Sequence, residues 1–202
     1  MSRIFIALTL SLLLPGCASL IASATGPEPI GKAAGDRTIG MSLQDKSIET
    51  TAKVNIIKID ERFRDANVNV ISFYDSVLLA GQVQTEDLQQ TAEQVVRSIA
   101  EVRQVHNELT VGDVSYYGER TSDGLISTRL RTAYTLEKGF PFSRLKVFTV
   151  GGTVYLLGKL TTAEADQATL IASQLAGVKK IVKMIDYLPE APGSTTTPTT
   201  GN

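Results

Sequence analysis

Cysteine occurs once in the 202 residues, at position 17, at the end of an apolar run. Arg3 precedes the run, Ile4 to Leu14 form it over 11 residues, and Leu14-Pro15-Gly16-Cys17 closes it. A membrane-spanning helix needs about 20 apolar residues. A basic start, a short apolar segment and a small residue before a thiol instead make a lipoprotein signal sequence. The expected chemistry is cleavage before Cys17, a diacylglyceryl thioether on its sulfur, and a third acyl chain of the palmitate kind on the freed amine. A lone cysteine has no internal disulfide partner, which leaves the thiol for modification. Each buried methylene contributes about 0.8 kcal/mol, so two or more chains anchor stably where one does not. Pro15 departs from the small or aliphatic residue usual in this motif. Ala18-Ser19, with no aspartate after the cysteine, resembles lipoproteins sorted to an outer membrane and facing the periplasm.

No other cluster points to catalysis. There is one histidine and no tryptophan, so a metal site built on imidazole or thiolate ligands is not expected. Neither Gly-x-Ser-x-Gly nor a phosphate-cradling glycine loop occurs, and no catalytic pair stands out among the 21 acids. His106 falls on an expected strand at the alternate of Val105 and reads as a surface residue. The expectation is a protein with no enzyme activity, cofactor, metal or small-molecule substrate. A net charge of −1 gives no reason to expect nucleic-acid binding.

The chain duplicates itself. Val68-Asn69-Val70 matches Leu145-Lys146-Val147, and Val77-Leu78-Leu79-Ala80-Gly81 matches Val154-Tyr155-Leu156-Leu157-Gly158, at an offset of 77. Past the glycine the offset is 76, aligning Ala92, Val95, Val96 and Ile99 with Ala168, Ile171, Ala172 and Leu175. Each copy opens on a helical pattern: Ile48, Ala52, Ile56 and Ile59 in the first, Ile126, Leu130, Ala133 and Tyr134 in the second. Two strands follow, reversing at Tyr74-Asp75-Ser76 or Gly151-Gly152-Thr153. A second helix starts after Thr85 or Thr161/Thr162, with acids in its first turn. A last strand covers Gln104 to Val111 or Lys180 to Leu188. The fold class is therefore α+β: tandem α-β-β-α-β units, each a small three-stranded mixed sheet covered on one face by two helices. At about 68 residues each unit is marginal alone, which favours packing of one on the other. Expected boundaries are 1–16 signal, 17–44 lipidated flexible tether, 45–112 first unit, 113–120 linker, 121–188 second unit and 189–202 polar tail. The tether's residues 18–44 would span about 30 Å if flexible.

The doubled unit, its Val77–Gly81 and Val154–Gly158 segments, and Ala176-Gly177-Val178-Lys179-Lys180-Ile181 resemble BON domains. Two such domains behind a lipobox, with Tyr117-Gly118-Glu119 and Ser122-Asp123 at the junction, are similar to the dual-BON outer-membrane lipoproteins of proteobacteria. The resemblance implies a non-enzymatic part in outer-membrane integrity, with the second domain binding anionic phospholipid through its first helix. It also raises outer-membrane assembly or division-site proteins as partners.

Charge divides unevenly between the copies. Residues 45–113 hold seven Lys/Arg and twelve Asp/Glu, net −5, whereas 121–188 hold nine and five, net +4. The second copy suits an anionic surface. On its first helix, Leu125, Thr128, Arg129, Thr132 and Leu136 share an arc beside the core stripe, with Arg131 and Lys138 further round. Two leucines and a guanidinium on such an arc fit a bilayer interface. They fit equally an enlarged core stripe or a contact with the first copy. By the resemblance Arg129 and Arg131 take basic positions of the family's helix, whereas Leu125 stands where a tryptophan is known. Lys179, Lys180 and Lys183 read as guards of a sheet edge. Two other readings stay open: an adaptor docking an outer-membrane assembly partner through the acidic first copy, and a stress-induced periplasmic protein whose lipobox is not used.

Overall fold

The structure is a computed structural model that describes residues 37–112 and 117–190; for 117–119 it describes the backbone alone. Cys17, the signal segment and the tail beyond residue 190 lie outside the described residues. The first unit contains α1 (Ile39–Ile59), β1 (Asn67–Phe73), β2 (Ser76–Val83), α2 (Glu86–Arg97) and β3 (Gln104–Val111). The second repeats the order with α3 (Tyr117–Leu136), β4 (Leu145–Val150), β5 (Thr153–Leu160), α4 (Thr162–Ser173) and β6 (Lys180–Tyr187). α1 begins within the segment expected as tether, and α3 within the segment expected as linker. A Thr38 hydroxyl accepting from the Met41 amide caps α1 and explains its early start.

In each sheet the middle strand pairs antiparallel with the first strand and parallel with the last. The mixed topology follows from connection length, since a tight turn joins the antiparallel pair and a helix crosses over to the parallel one. α4 starts with a full capping box: Thr161 accepts from the Glu164 amide while the Glu164 carboxylate accepts from the Thr161 amide. At the equivalent Thr85 of α2 the side chain makes no capping bond.

Gly81 and Gly158 do the same work in the two copies. A Cβ on Gly81 would stand 1.8 Å from the Asn67 carbonyl oxygen, and one on Gly158 2.1 Å from that of Arg144. The middle strand can lie this close to the start of its antiparallel neighbour only where no side chain intervenes.

The helices cover one face of each sheet. Ile48, Ala52 and Ile56 of α1 join Val70, Val77, Leu79 and Leu88 in one core, and Ile126, Leu130 and Tyr134 of α3 join Val147, Val154, Leu156 and Ala168 in the other. Ile59, placed on the core stripe by its spacing, is instead exposed in the last turn of α1. The opposite sheet faces meet each other. Phe73, Tyr74, Leu78 and Ala80 pack with Tyr155, Leu157 and Met184 in a third, inter-domain cluster. The layers therefore run helices, sheet, sheet, helices. This arrangement explains why β2 and β5 are apolar at nearly every position: both their faces are covered. It also corrects the reading of His106. In register with Leu78, it faces the second domain and is half-buried, and burial lowers its pKa, partly offset by Glu108 and Asp186.

Candidate functional site

α3 owes its placement to one buried acid. Asp123 accepts hydrogen bonds from the Gly151 and Gly152 amides at 2.7 and 2.9 Å, tying the helix to the β4–β5 turn. One turn on, Ser127 donates to Thr149 at 2.9 Å. Further along, the Tyr134 hydroxyl donates to the Ala168 carbonyl at 2.7 Å across the buried side. With Ile126, Leu130 and Tyr134 turned inward, the opposite side is fixed by helical geometry.

That outward side carries the arc singled out in the sequence. Leu125, Thr128, Arg129, Thr132 and Leu136 are all exposed, Leu125 at 54% and Leu136 at 78%. Leu125, Arg129, Thr132 and Leu136 follow i, i+4, i+7 and i+11 spacing, so they form a continuous stripe. Neither leucine belongs to a buried cluster among the described residues. The Thr128 and Thr132 hydroxyls donate back to the Gly124 and Thr128 carbonyls, so they add little polarity to the stripe. Among the described residues Arg129 has no ion-pair partner; its guanidinium faces solvent between the two leucines.

Arg131 is apart from this stripe. Its Nη2 donates to the Val147 carbonyl on the free edge of β4 at 3.0 Å. A guanidinium with five donors keeps capacity for an anion after one such bond. Lys179, Lys180 and Lys183 sit at or before the edge strand β6, where Lys183 pairs with Asp166 at 3.6 Å. They match the edge-guarding role.

Sequence reasoning missed the charged joint between the domains. On α1, Asp45 is 2% exposed and accepts from Arg37 (2.7 Å), the Ser72 hydroxyl (2.6 Å) and the Tyr74 and Asp75 amides (3.2 Å each). One turn on, Glu49 accepts from the Ser72 amide at 3.1 Å and from Lys146 of the second domain at 3.1 Å. Burial raises the Glu49 pKa, but Lys146 and the Ser72 amide outweigh it and hold the carboxyl below its ordinary value. Arg103 and Asp186 add a second pair across the joint. A signal was present in the spacing, because Asp45 and Glu49 flank Ile48 and Ala52 on the inward side of α1, where an unpaired acid would be costly.

No helix among the described residues is long and apolar enough to cross a membrane. The BON domain model matches residues 44–113 and 122–189. The chain is 30% identical over 190 residues to the outer membrane lipoprotein DolP of Haemophilus influenzae, covering 93% of this chain and 97% of that protein. It is 29% identical over 152 residues to a 21 kDa hemolysin of Actinobacillus pleuropneumoniae, covering 75% and 78%. Among solved structures, the C-terminal domain of CdsD, a structural protein of the type III secretion system of Chlamydia trachomatis, aligns at 11% identity over 67% of this chain and 96% of that one. Its TM-score of 0.29 is too low to carry an argument. With two matched domains in one compact body and near full-length similarity to such a lipoprotein, the chain belongs to the BON-domain family as a dual-domain, lipid-anchored outer-membrane lipoprotein facing the periplasm.

Proposed function

We propose that the chain is a non-enzymatic envelope protein whose second BON domain binds anionic phospholipid through the outward stripe of α3 and so supports outer-membrane integrity. The observation that carries this reading is the stripe itself: two solvent-exposed leucines bracket an arginine that makes no ion pair among the described residues. In this reading Leu125 and Leu136 enter the acyl boundary, Arg129 pairs with a lipid phosphate, and Thr128 and Thr132 form the floor between them. Arg131 lies further round and reaches headgroups beside β4. The net charge of +4 over residues 121–188 adds long-range attraction to an anionic surface.

The test is co-sedimentation of residues 18–202 with vesicles of phosphatidylethanolamine, with and without phosphatidylglycerol. Wild type is expected to sediment only with the anionic vesicles. Arg129→Glu replaces an attraction by a repulsion of similar size, at about 1 kcal/mol each, and weakens partitioning roughly 30-fold. Wild type that stays in the supernatant, or an Arg129→Glu variant that partitions as wild type does, overturns the reading.

A further inference from the structure

The first domain, acidic as a whole, hides a cationic and apolar face. α1 carries two acids between Ile39 and Ile59, Asp45 and Glu49, and both are buried. The charges left on its outward side are Lys46, Lys53 and Lys58, all exposed and all positive. Between them runs an apolar stripe, Ile39, Leu43 and Val54, exposed at 46%, 67% and 44%. Ile39, Leu43, Thr50 and Val54 stand at i, i+4, i+11 and i+15, one line along the helix opposite its core side. Lys46 leans on Glu49 at 3.3 Å. Among the described residues Lys53 and Lys58 make no ion pair.

A second feature lies beside this stripe. On the β1 side of α1 a groove of about 240 Å³ has an apolar floor that includes Ile57, Phe63 and Val68, with Lys53 and Arg64 among its lining residues. Arg64 is exposed and makes no ion pair among the described residues. Cations at an apolar groove, next to exposed aliphatic side chains, complement a molecule with an anionic head and hydrocarbon body. Glu101 borders the face on its other side, toward α2, and Glu61 lies beyond the helix end.

We infer that the outward face of α1, with the groove lined by Lys53 and Arg64, is a second contact surface for anionic membrane lipid. Lys53, Lys58 and Arg64 engage phosphates, Leu43 and Val54 enter the acyl boundary, and the groove takes an aliphatic segment. Charge complementarity selects this occupant, because an exposed helix face with lysines and no exposed acid fits an anionic surface. The net charge of −5 over residues 45–113 conceals it, since two of those acids are turned into the core. The surface is independent of the α3 stripe. α1 and α3 cover different cores in different domains, and no residue named for one surface is named for the other.

Two measurements on residues 18–202 decide it. In co-sedimentation with phosphatidylethanolamine–phosphatidylglycerol vesicles, Lys53→Gln/Lys58→Gln/Arg64→Gln removes three attractions of about 1 kcal/mol each, an expected loss of about 100-fold in partitioning. The triple variant is compared with Arg129→Glu, which addresses the other surface. Loss in the triple variant with Arg129→Glu unchanged sustains this inference and overturns the α3 reading. Loss in Arg129→Glu alone overturns this inference, and failure of wild type to bind overturns both. The second measurement needs no loss of binding. Residues 18–202 contain no cysteine, so Thr50→Cys accepts an environment-sensitive fluorophore on the outward face. A blue shift with the anionic vesicles and none with phosphatidylethanolamine alone is expected; no shift with either overturns the inference.

Discussion

The two domains share a backbone plan and differ in how they hold their first hairpin. In the second, glycines occupy the turn at Gly151 and Gly152, with φ of 58° and 78°, and one carboxylate, Asp123, gathers their amides. In the first, Tyr74 and Asp75 adopt φ of 53° and 61°, a region that costs a residue with a Cβ about 1 kcal/mol or more. Asp45 holds both of their amides and takes Arg37 and Ser72 as well. Where the first domain has Glu49 and Ser72, the second has Ser127 and Thr149, a neutral pair. The change matters because Glu49 keeps a charge available for Lys146 of the second domain. Duplication supplied two copies of a clamp, and the charged version joins the halves.

Substitution should separate these roles. The largest effect is expected where both copies need the same thing: Gly81→Ala and Gly158→Ala each drive a Cβ into a backbone carbonyl and should cost more than about 3 kcal/mol, read as loss of cooperative unfolding in urea. The clamps come next. Asp45→Ala leaves the Ser72 hydroxyl and two amides of a strained turn without their acceptor, and should cost about 3 kcal/mol. Asp123→Ala, which releases two amides of a relaxed glycine turn, should cost about half as much. Equal costs in denaturant titrations would break the comparison.

The joint itself should respond to pH. Glu49 has its folded pKa below the unfolded value of 4.5, so its contribution is complete above that value and is lost as pH falls through the folded one. Stability from this group should therefore hold from neutral pH down to about 4.5 and drop below that value. Lys146→Met, which removes the main attraction lowering that pKa, should flatten the dependence while weakening the joint. A pH profile of the melting temperature checks both. The smallest effect sharpens the turn comparison: Asp75→Gly, which gives the first domain the glycine found in the second, should stabilise by about 0.5 to 1 kcal/mol.

Much of this was readable from residue order. Repetition of Val77–Gly81 as Val154–Gly158 located both middle strands, and helical spacing placed Ile48, Ala52, Ile56, Ile126, Leu130 and Tyr134 in the cores. The α3 stripe was legible because exposure on a helix follows directly from its periodicity. What spacing could not supply was the partner of the second sheet face. Apolar runs in β2 and β5 say that both faces are covered without saying by what, and so His106 read as a surface residue. Asp45 and Glu49 were hidden for the opposite reason, since counting charges treats a buried acid and a solvated one alike. Ile59 fell outside the core because the chain leaves α1 there, at Asp60, whose extended backbone ends the helix.

Membrane reading by the second domain depends on the α3 stripe entering the bilayer interface. Nitroxide labels on single cysteines at positions 125, 132 and 136 of residues 18–202, and at position 170 on exposed α4 as a control, measure it by power saturation with anionic vesicles. Labels on α3 should gain contact with lipid-dissolved oxygen and lose contact with an aqueous relaxation agent, while the α4 label stays aqueous. If the α3 labels remain as aqueous as the control with vesicles present, the second domain does not read the membrane through this helix.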